Sequence, residues 1–373
     1  MDRAGLRTWI EVDTRLLRKN YRIFRTLIPK KTRLMAVVKS NAYGHSLIDF
    51  SRSLDRFGAQ WFGVDSIVEA RSLRREGIRK PILVLGSTLP EWYVEAAQNN
   101  ISVTISNFES LERALKQGTV RKPLKAHIKI DTGMHRQGFM PNEIERVLGY
   151  FKEKQNFLIL EGMYTHFAAA KNPAFPRDTQ KQIDEFTRVA SLVAEAGFKP
   201  LRHAAATSGT ILFSSAHFDM VRIGIGMFGL WPSREVRAFA ERRLGLVPAL
   251  TWKTVISELK DLPAGSAVGY DLSETLHKPS RVAILPVGYW HGYPRVLSSI
   301  GYVIIRGKRA KVIGRVSMDM LVVDVSRIKK VRIRDEAVLL GPGMSADELA
   351  DLTGTSNYEI VTRLNPLIKR IYT

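Results

Sequence analysis

The chain has no cysteine in its 373 residues, so disulfides, zinc–thiolate sites and iron–sulfur clusters are excluded from the start. It also lacks long apolar runs. No segment approaches the roughly 20 residues that a membrane-crossing helix needs, and Met1 to Trp9 has no apolar core of the signal-peptide kind, so a cytoplasmic protein is expected. Acidic residues are few beside basic ones, 36 against 57, giving a formal charge of +21. Such an excess suits a polyanionic partner, but its distribution argues against one. Basic residues are scattered over helix faces (Arg15, Arg18 and Lys19; Arg71, Arg74 and Arg75; Arg242 and Arg243). The one dense run, Lys329-Lys330-Val331-Arg332-Ile333-Arg334, alternates with apolar residues and reads as an exposed edge strand guarded by lysines. Neither nucleic acid nor membrane is expected as a partner.

At this length two globular domains are expected. The first 230 residues alternate short apolar runs with amphipathic stretches, the pattern of β/α units. Eight strands are predicted: Leu34 to Val38, Trp61 to Val64, Pro81 to Leu85, Ser102 to Ile105, Ala126 to Ile130, Leu158 to Tyr164, Leu201 to Ala204 and Met220 to Ile223. Helices are predicted from Ser66 to Gly77, Asn107 to Gln117, Pro141 to Lys154 and Thr179 to Gly197. Eight units suggest a closed parallel barrel; a doubly wound open sheet usually has fewer strands and would often carry a glycine-rich loop after its first. Beyond Gly245 strands dominate (Leu250 to Leu259, Arg281 to Pro286, Tyr302 to Ile305, Met320 to Val325, Ala337 to Leu340), with one short helix from Ser345 to Leu352. The expected organisation is an α/β chain: a (β/α)8 barrel over residues 1–240, then a mainly β domain over 241–373. Trp9 to Val12 adds a strand to one or the other.

Active sites of such barrels lie on the loops at the carboxyl ends of the strands. Lys39 and Tyr43 follow the first strand, Asp131 to Arg136 the fifth, Thr165-His166 the sixth, Thr207-Ser208 the seventh, and Gly224-Ile225-Gly226 the eighth. The last two loops are where barrels often bind phosphate. A lysine ending a buried strand, beside apolar walls, loses hydration; its neutral amine can then form a Schiff base with a carbonyl. Taken alone, a lysine after a strand is better explained as a snorkelling surface residue.

Six motifs in order carry a family resemblance: AVVKSNAYGH (Ala36 to His45), HIKIDTGMHRQGF (His127 to Phe139), GMYTHFA (Gly162 to Ala168), DMVRIGIGMFG (Asp219 to Gly229), AVGYD (Ala267 to Asp271) and GRVSMDM (Gly314 to Met320). From Trp9 to its C-terminus the chain resembles the bacterial alanine racemases, pyridoxal-phosphate enzymes built from a barrel and a β domain. The resemblance implies that Lys39 holds the cofactor as a Schiff base and serves as one acid/base group. Tyr270, reaching over from the other subunit of a homodimer, is the second, so that protons leave and arrive on opposite faces of Cα. It further implies that Arg222 partners the pyridine nitrogen, with His166 beside it, and that Asp319 lies near the tyrosine. Tyr43, Thr207, Gly224, Ile225 and Tyr358 correspond to phosphate-binding positions, and Arg136 with the Met318 backbone to those that bind the substrate carboxylate. Lys129 matches a lysine carbamylated in some members.

The sequence departs from the family pattern at several points. Gly288-Tyr289-Trp290-His291-Gly292 stands where GYADG is common, Ser317 where cysteine is, Thr207 where serine is, and Asp271 where glycine often follows the tyrosine. The function implied is interconversion of L- and D-alanine, supplying D-alanine for peptidoglycan. A serine or broad-specificity racemase is the nearest rival. A non-catalytic pyridoxal-phosphate carrier protein would lack the second domain, and a decarboxylase of the same fold type would carry a cysteine.

Overall fold

A computed structural model of the protein describes residues 3–116, 122–153 and 157–373. The chain divides into two compact units, one made of Arg15–Ala42 and Leu47–Val247, the other of Met1–Thr14, Tyr43–Ser46 and Pro248–Thr373. The first strand, β1 (Thr8–Val12), belongs to the second unit; there it pairs antiparallel with β10 and parallel with β19, both delimited below.

The first unit is the barrel. Its strands are β2 (Arg33–Val37), β3 (Trp61–Val64), β4 (Ile82–Val84), β5 (Ile101–Ile105), β6 (Leu124–Lys129), β7 (Leu158–Tyr164), β8 (Leu201–His203) and β9 (Met220–Ile223), all parallel, with β9 beside β2. Backbone hydrogen bonds from Asp219 N to Arg202 O (3.0 Å) and from Arg222 N to Ala205 O (2.9 Å) join the two remaining edges and close the ring. Helices cover the outer face and side chains fill the inside. The strands are therefore wet on neither side and read as unbroken apolar runs such as Leu34-Met35-Ala36-Val37, every residue of which is buried. One interior layer is apolar, with Met35, Trp61, Leu83 and Met220 packed together.

All eight predicted barrel strands are present. Ser66 accepts from the Glu69 amide and caps the helix Ile67–Arg75, and the side chain of Asn107 accepts from the Ser110 amide to open Phe108–Lys116. The predicted ends of two helices, Gln117 and Lys154, lie outside the described residues. The predicted helix from Thr179 begins one turn earlier, at Pro176, where proline suits a first turn.

The second unit contains β10 (Leu250–Val255), β11 (Glu258–Leu262), β12 (Ala267–Val268), β13 (Glu274–Thr275), β14 (Ser280–Leu285), β15 (Tyr302–Ile305), β16 (Lys308–Ile313), β17 (Leu321–Asp324), β18 (Glu336–Leu340) and β19 (Lys369–Tyr372). Nine strands form one sheet in the order β11-β14-β17-β16-β15-β18-β10-β1-β19. Here burial alternates, as along β10, because one face packs and the other is wetter. The single predicted strand from Leu250 to Leu259 is two strands, parted at Ile256-Ser257. The basic run Lys329–Arg334 is not an edge strand but a series of turns. Lys330 and Arg334 have positive φ of 60° and 72°, which a strand does not allow, and Val331 turns inward to be buried. Among the described residues no helix is long and apolar enough to cross a membrane.

Candidate active site

Lys39 follows β2 at the barrel mouth. The backbone after it turns left-handed through Ser40, Asn41, Ala42 and Tyr43, with φ of 50° to 55°, a conformation costing L-residues roughly 1–2 kcal/mol each. Neighbouring groups hold it in place. Ala42 N donates to Val38 O (2.8 Å), Asn41 N to Glu69 Oε1 (3.3 Å), and Leu47 N to Asn41 Oδ1 (2.8 Å). The Lys39 ammonium meets the Asp65 carboxylate at 3.0 Å with 40 % of the side chain open. The dry apolar setting expected of the strand end is therefore replaced by an ion pair.

Arg222, on β9, is the hub of the barrel interior. It is buried and faces no carboxylate among the described residues, because Asp219 is taken by Arg202 in a two-pronged pair (2.8 and 3.1 Å). Its Nη1 donates to Nδ1 and O of His203, both at 3.0 Å. Nη2 donates to Thr165 O (2.8 Å) and Ala204 O (2.9 Å), and His166 Nδ1, at 3.2 Å, shares one of these two hydrogens. Nε–H alone finds no acceptor among the described residues. The guanidinium also lies 5.1 Å from the Tyr164 ring centroid. Burial lowers it to about 10, against the opposing effect of Tyr164, so it stays charged at neutral pH.

Behind Arg222 the polar contacts continue across the barrel. His203 Nε2 is 2.8 Å from His127 Nδ1, and His127 Nε2 is 3.3 Å from Glu161 Oε2. Glu161 also accepts from Ser102 Oγ and pairs with Lys125 at 3.2 Å.

The loop after β6 is shaped by Asp131, whose Oδ1 accepts from the amides of Gly133, Met134 and His135, each at 3.0 Å. This turn presents Arg136 to solvent. Lys129 is buried at the end of β6, with Nζ donating to Gln137 Oε1 (3.2 Å) over the Tyr164 ring. Burial first, then the charges of Arg136 and Arg222, bring it down to about 8. His166 is pushed down to about 3 by burial and by Arg222, Arg136, Lys129 and Lys39, in that order. It is neutral, and its Nδ1 accepts from Arg222.

Thr207 opens a short helix after β8, and its Oγ1 accepts from Gly224 N at 3.3 Å. Gly224 and Ile225 begin the tight turn after β9. A Cβ on Gly226 would fall 2.3 Å from Phe24 and 2.9 Å from Thr207, so glycine is required for the two loops to meet.

In the other unit, Tyr43 and Tyr358 face each other with ring centroids 6.1 Å apart. Arg370 donates to the carbonyl of Gly44 (3.0 Å) and to those of Asn365, Ile368 and Leu364, pinning the segment that carries Tyr43. Tyr270 is 68 % exposed, next to Gly269 at φ 84° and beside an Asp271–Arg315 ion pair. The carbonyl of Met318 accepts from Trp290 N (3.0 Å), and Asp319 lies 3.8 Å from His291 Nδ1. His291, which stands where the family has an acidic residue, is buried, and its Nδ1 accepts from the Gly288 amide.

Lys39, Lys129, Arg136, His166, Thr207, Arg222, Gly224 and Ile225 thus all lie on the barrel's carboxyl-end loops or strand ends. Sequence reasoning misses Asp65 and Glu69, although they follow β3 by the same rule. His127, Glu161 and His203 were overlooked because they sit within strands; a histidine or glutamate interrupting an apolar barrel strand was the available signal.

Family models for the alanine racemase N-terminal and C-terminal domains match residues 12–232 and 249–372. An alanine racemase of Symbiobacterium thermophilum is 40 % identical over 379 residues, spanning 100 % of this chain and 99 % of that protein. One of Methylacidiphilum infernorum is 39 % identical over 99 % of this chain and 93 % of its own. Among solved structures, an alanine racemase of Clostridium difficile superposes with a TM-score of 0.95 at 29 % identity, covering 100 % of this chain and 97 % of that one. One of Bacillus anthracis with bound L-Ala-P gives 0.93 at 34 %, covering 98 % and 95 %. By both domains and along its whole length, the chain belongs to the alanine racemase family.

Proposed function

We propose that this protein interconverts L- and D-alanine with pyridoxal phosphate as cofactor, by a lysine and a tyrosine acting on opposite faces of Cα. The observation that carries the reading is Arg222. It is a permanently protonated side chain with four of its N–H groups committed to protein acceptors and its Nε–H left over. That donor fits an unprotonated pyridine nitrogen, which can only accept.

The other residues fit the group as well. Lys39 is the amine that would hold the aldehyde carbon. On the barrel Thr207, Gly224 and Ile225, and on the second unit Tyr43 and Tyr358, are the residues assigned to the phosphate. When bound, pyridoxal phosphate supplies an aldehyde for the substrate amine and a conjugated ring that accepts electron density from Cα. An arginine rather than an acid at the ring nitrogen weakens that electron sink, which limits side reactions. The Lys39 amine takes or returns a proton at one face of Cα, and the Tyr270 phenol does so at the other. Arg136 orients the substrate carboxylate through its planar fork, together with the backbone of Met318. Neutral His166 bonds to Arg222 and carries its own proton on Nε2. Lys129, lowered to about 8, offers the fraction of free amine that carbamylation consumes. Asp319 is assigned a place near the tyrosine.

The active form in this reading is a homodimer in which Tyr270 serves the partner's Lys39. Support comes from the exposure of Tyr270 together with Leu272, Met318 and Met320, an apolar set that a second copy would cover. The same reading assigns the product to peptidoglycan assembly and the enzyme to the cytoplasm.

The test is purification, an absorbance spectrum and a chiral assay on L-alanine and L-serine. Lys39→Ala is expected to lose the cofactor band and activity. Tyr270→Phe is expected to keep the band while losing proton exchange from the L-substrate. Mixing the two inactive variants should restore activity; none under confirmed subunit exchange would rule out the shared site, and racemisation by Lys39→Ala would rule out the mechanism.

A further inference from the structure

The contacts behind Arg222 form a chain whose direction can be worked out from its two ends. Arg222 has donors only, so His203 Nδ1, 3.0 Å away, must accept. A neutral His203 then carries its proton on Nε2 and gives it to His127 Nδ1 at 2.8 Å. His127 in turn carries its proton on Nε2, toward Glu161 Oε2 at 3.3 Å. An ionised carboxylate accepts only, so both ends demand the same orientation and every proton points toward Glu161. Reversing any link would set N–H against N–H.

The rings are held as firmly as the protons. His203 is stacked on Tyr164, with centroids 4.8 Å apart and planes 8° apart, and Tyr164 is anchored through its hydroxyl to Thr104 at 3.0 Å. His127 meets Trp61 edge-on at 5.4 Å. Gly162 leaves the space that His127 occupies, since a Cβ there would fall 2.2 Å from Nδ1. Burial works to raise Glu161, but hydrogen bonds from His127 and Ser102 and the charge of Lys125 hold it below the usual carboxylate range.

We propose that Glu161, His127 and His203 are positioning residues for the reaction: the carboxylate fixes the tautomer of both histidines and so keeps an acceptor nitrogen facing Arg222. With its Nη groups held, Arg222 has Nε–H as its remaining donor among the described residues, the one that this reading gives to the pyridine nitrogen. The inference rests on reading Arg222 as the partner of the pyridine nitrogen. Glutamine in place of Glu161 can donate as well as accept, so the far end no longer fixes the direction and Arg222 alone opposes the reversed chain, in which His203 turns an N–H toward the guanidinium.

Two measurements on the holoenzyme test this. In protein labelled with 15N-histidine, His127 and His203 should both be neutral and protonated on Nε2 at pH 7; an Nδ1 proton on either overturns the proposal. The second measurement compares loss of pyridoxal phosphate, under trapping of the released cofactor, with loss of an analogue carrying C–H in place of the ring nitrogen. The wild type should lose the analogue faster. Glu161→Gln should speed loss of pyridoxal phosphate about tenfold, the scale of a weakened hydrogen bond to a charged group, and leave loss of the analogue nearly unchanged. Should Glu161→Gln not fold, His127→Phe, which removes the acceptor for His203, should give the same selective pattern. Equal acceleration of both losses means a merely structural role and overturns the relay. No discrimination by the wild type overturns the reading of Arg222 itself, and the relay with it.

Discussion

Acidification should unfold this protein through its neutral histidines. In an unfolded chain a histidine titrates near 6.5, whereas burial and the Arg222 charge hold His203 well below that value. His127 is lowered by burial despite Glu161, and His166 is pushed down to about 3. Between pH 7 and 5 the unfolded state therefore binds protons that the native state does not. The stability these groups provide is complete above pH 6.5 and lost as pH falls. At pH 5 the loss is about 2 kcal/mol for a histidine that remains neutral when folded, so about 4 kcal/mol for His203 and His166 together, and His127 acts in the same direction. Set against the roughly 5–15 kcal/mol that keeps a typical domain folded, this is a large share. Urea midpoints from pH 8 to pH 5 should fall steeply below 6.5. Calorimetry in buffers of different ionisation enthalpy at pH 5.5 should show uptake of about 0.9 proton per such histidine on unfolding, nearly two from His203 and His166. A flat midpoint, or uptake below one proton, would mean that the rings are already charged in the native state and would refute the assigned proton positions.

Gly162→Ala should cost about 3 kcal/mol, since the new methyl must displace the His127 ring from both of its partners; a urea midpoint close to that of the wild type would contradict this. Gly44→Ala combines a φ of 79° with a Cβ 2.0 Å from the Val361 carbonyl. It should weaken retention of the cofactor phosphate through Tyr43 while the far-ultraviolet circular dichroism is kept, and unchanged retention would refute it. Arg370→Met leaves four carbonyls without their donor and should destabilise by about 3 kcal/mol or more, read as a drop in thermal midpoint.

Much of the barrel was legible because parallel strands covered on both faces are continuous apolar runs. Trp61–Val64, Leu158–Tyr164 and Met220–Ile223 end at the residues expected of them. The β domain was less so. Lys308–Ile313 is a strand whose solvent face is basic, while Lys329–Arg334, with a similar alternation, is a set of turns. What separates them is local: positive φ at Lys330 and Arg334, and an Asp335 carboxylate that accepts from Arg332 N and pairs with Arg306. None of that is visible as a pattern of residue types. At the site, the rule that barrels work at their carboxyl ends points to mouth residues such as Lys39, Arg136, His166 and Thr207. It passed over Asp65, which occupies Lys39, and Glu69, which braces the left-handed turn. The Arg222 relay was invisible to it, because its members lie inside the barrel and not on its rim.

The barrel mouth gathers basic side chains whose charges bear on His166 and Lys129. Lys39, Lys129, Arg136 and Arg222 all act on His166, and Arg136, Arg222 and Lys39 act on Lys129 in turn. The nearby acids do little to relieve this. Asp131 is spent on three backbone amides and Asp65 on Lys39, while Glu161 is reached from Arg222 only through two neutral rings. A pocket so poor in negative charge favours a ligand that brings its own, and a phosphate together with a substrate carboxylate meets that need without adding a proton acceptor to the protein. The same imbalance explains why the acceptor offered to Arg222 is a histidine. A carboxylate in that place would pair with the guanidinium directly and draw its donors inward, whereas neutral His203 satisfies Nη1 through its Nδ1 without adding a charge.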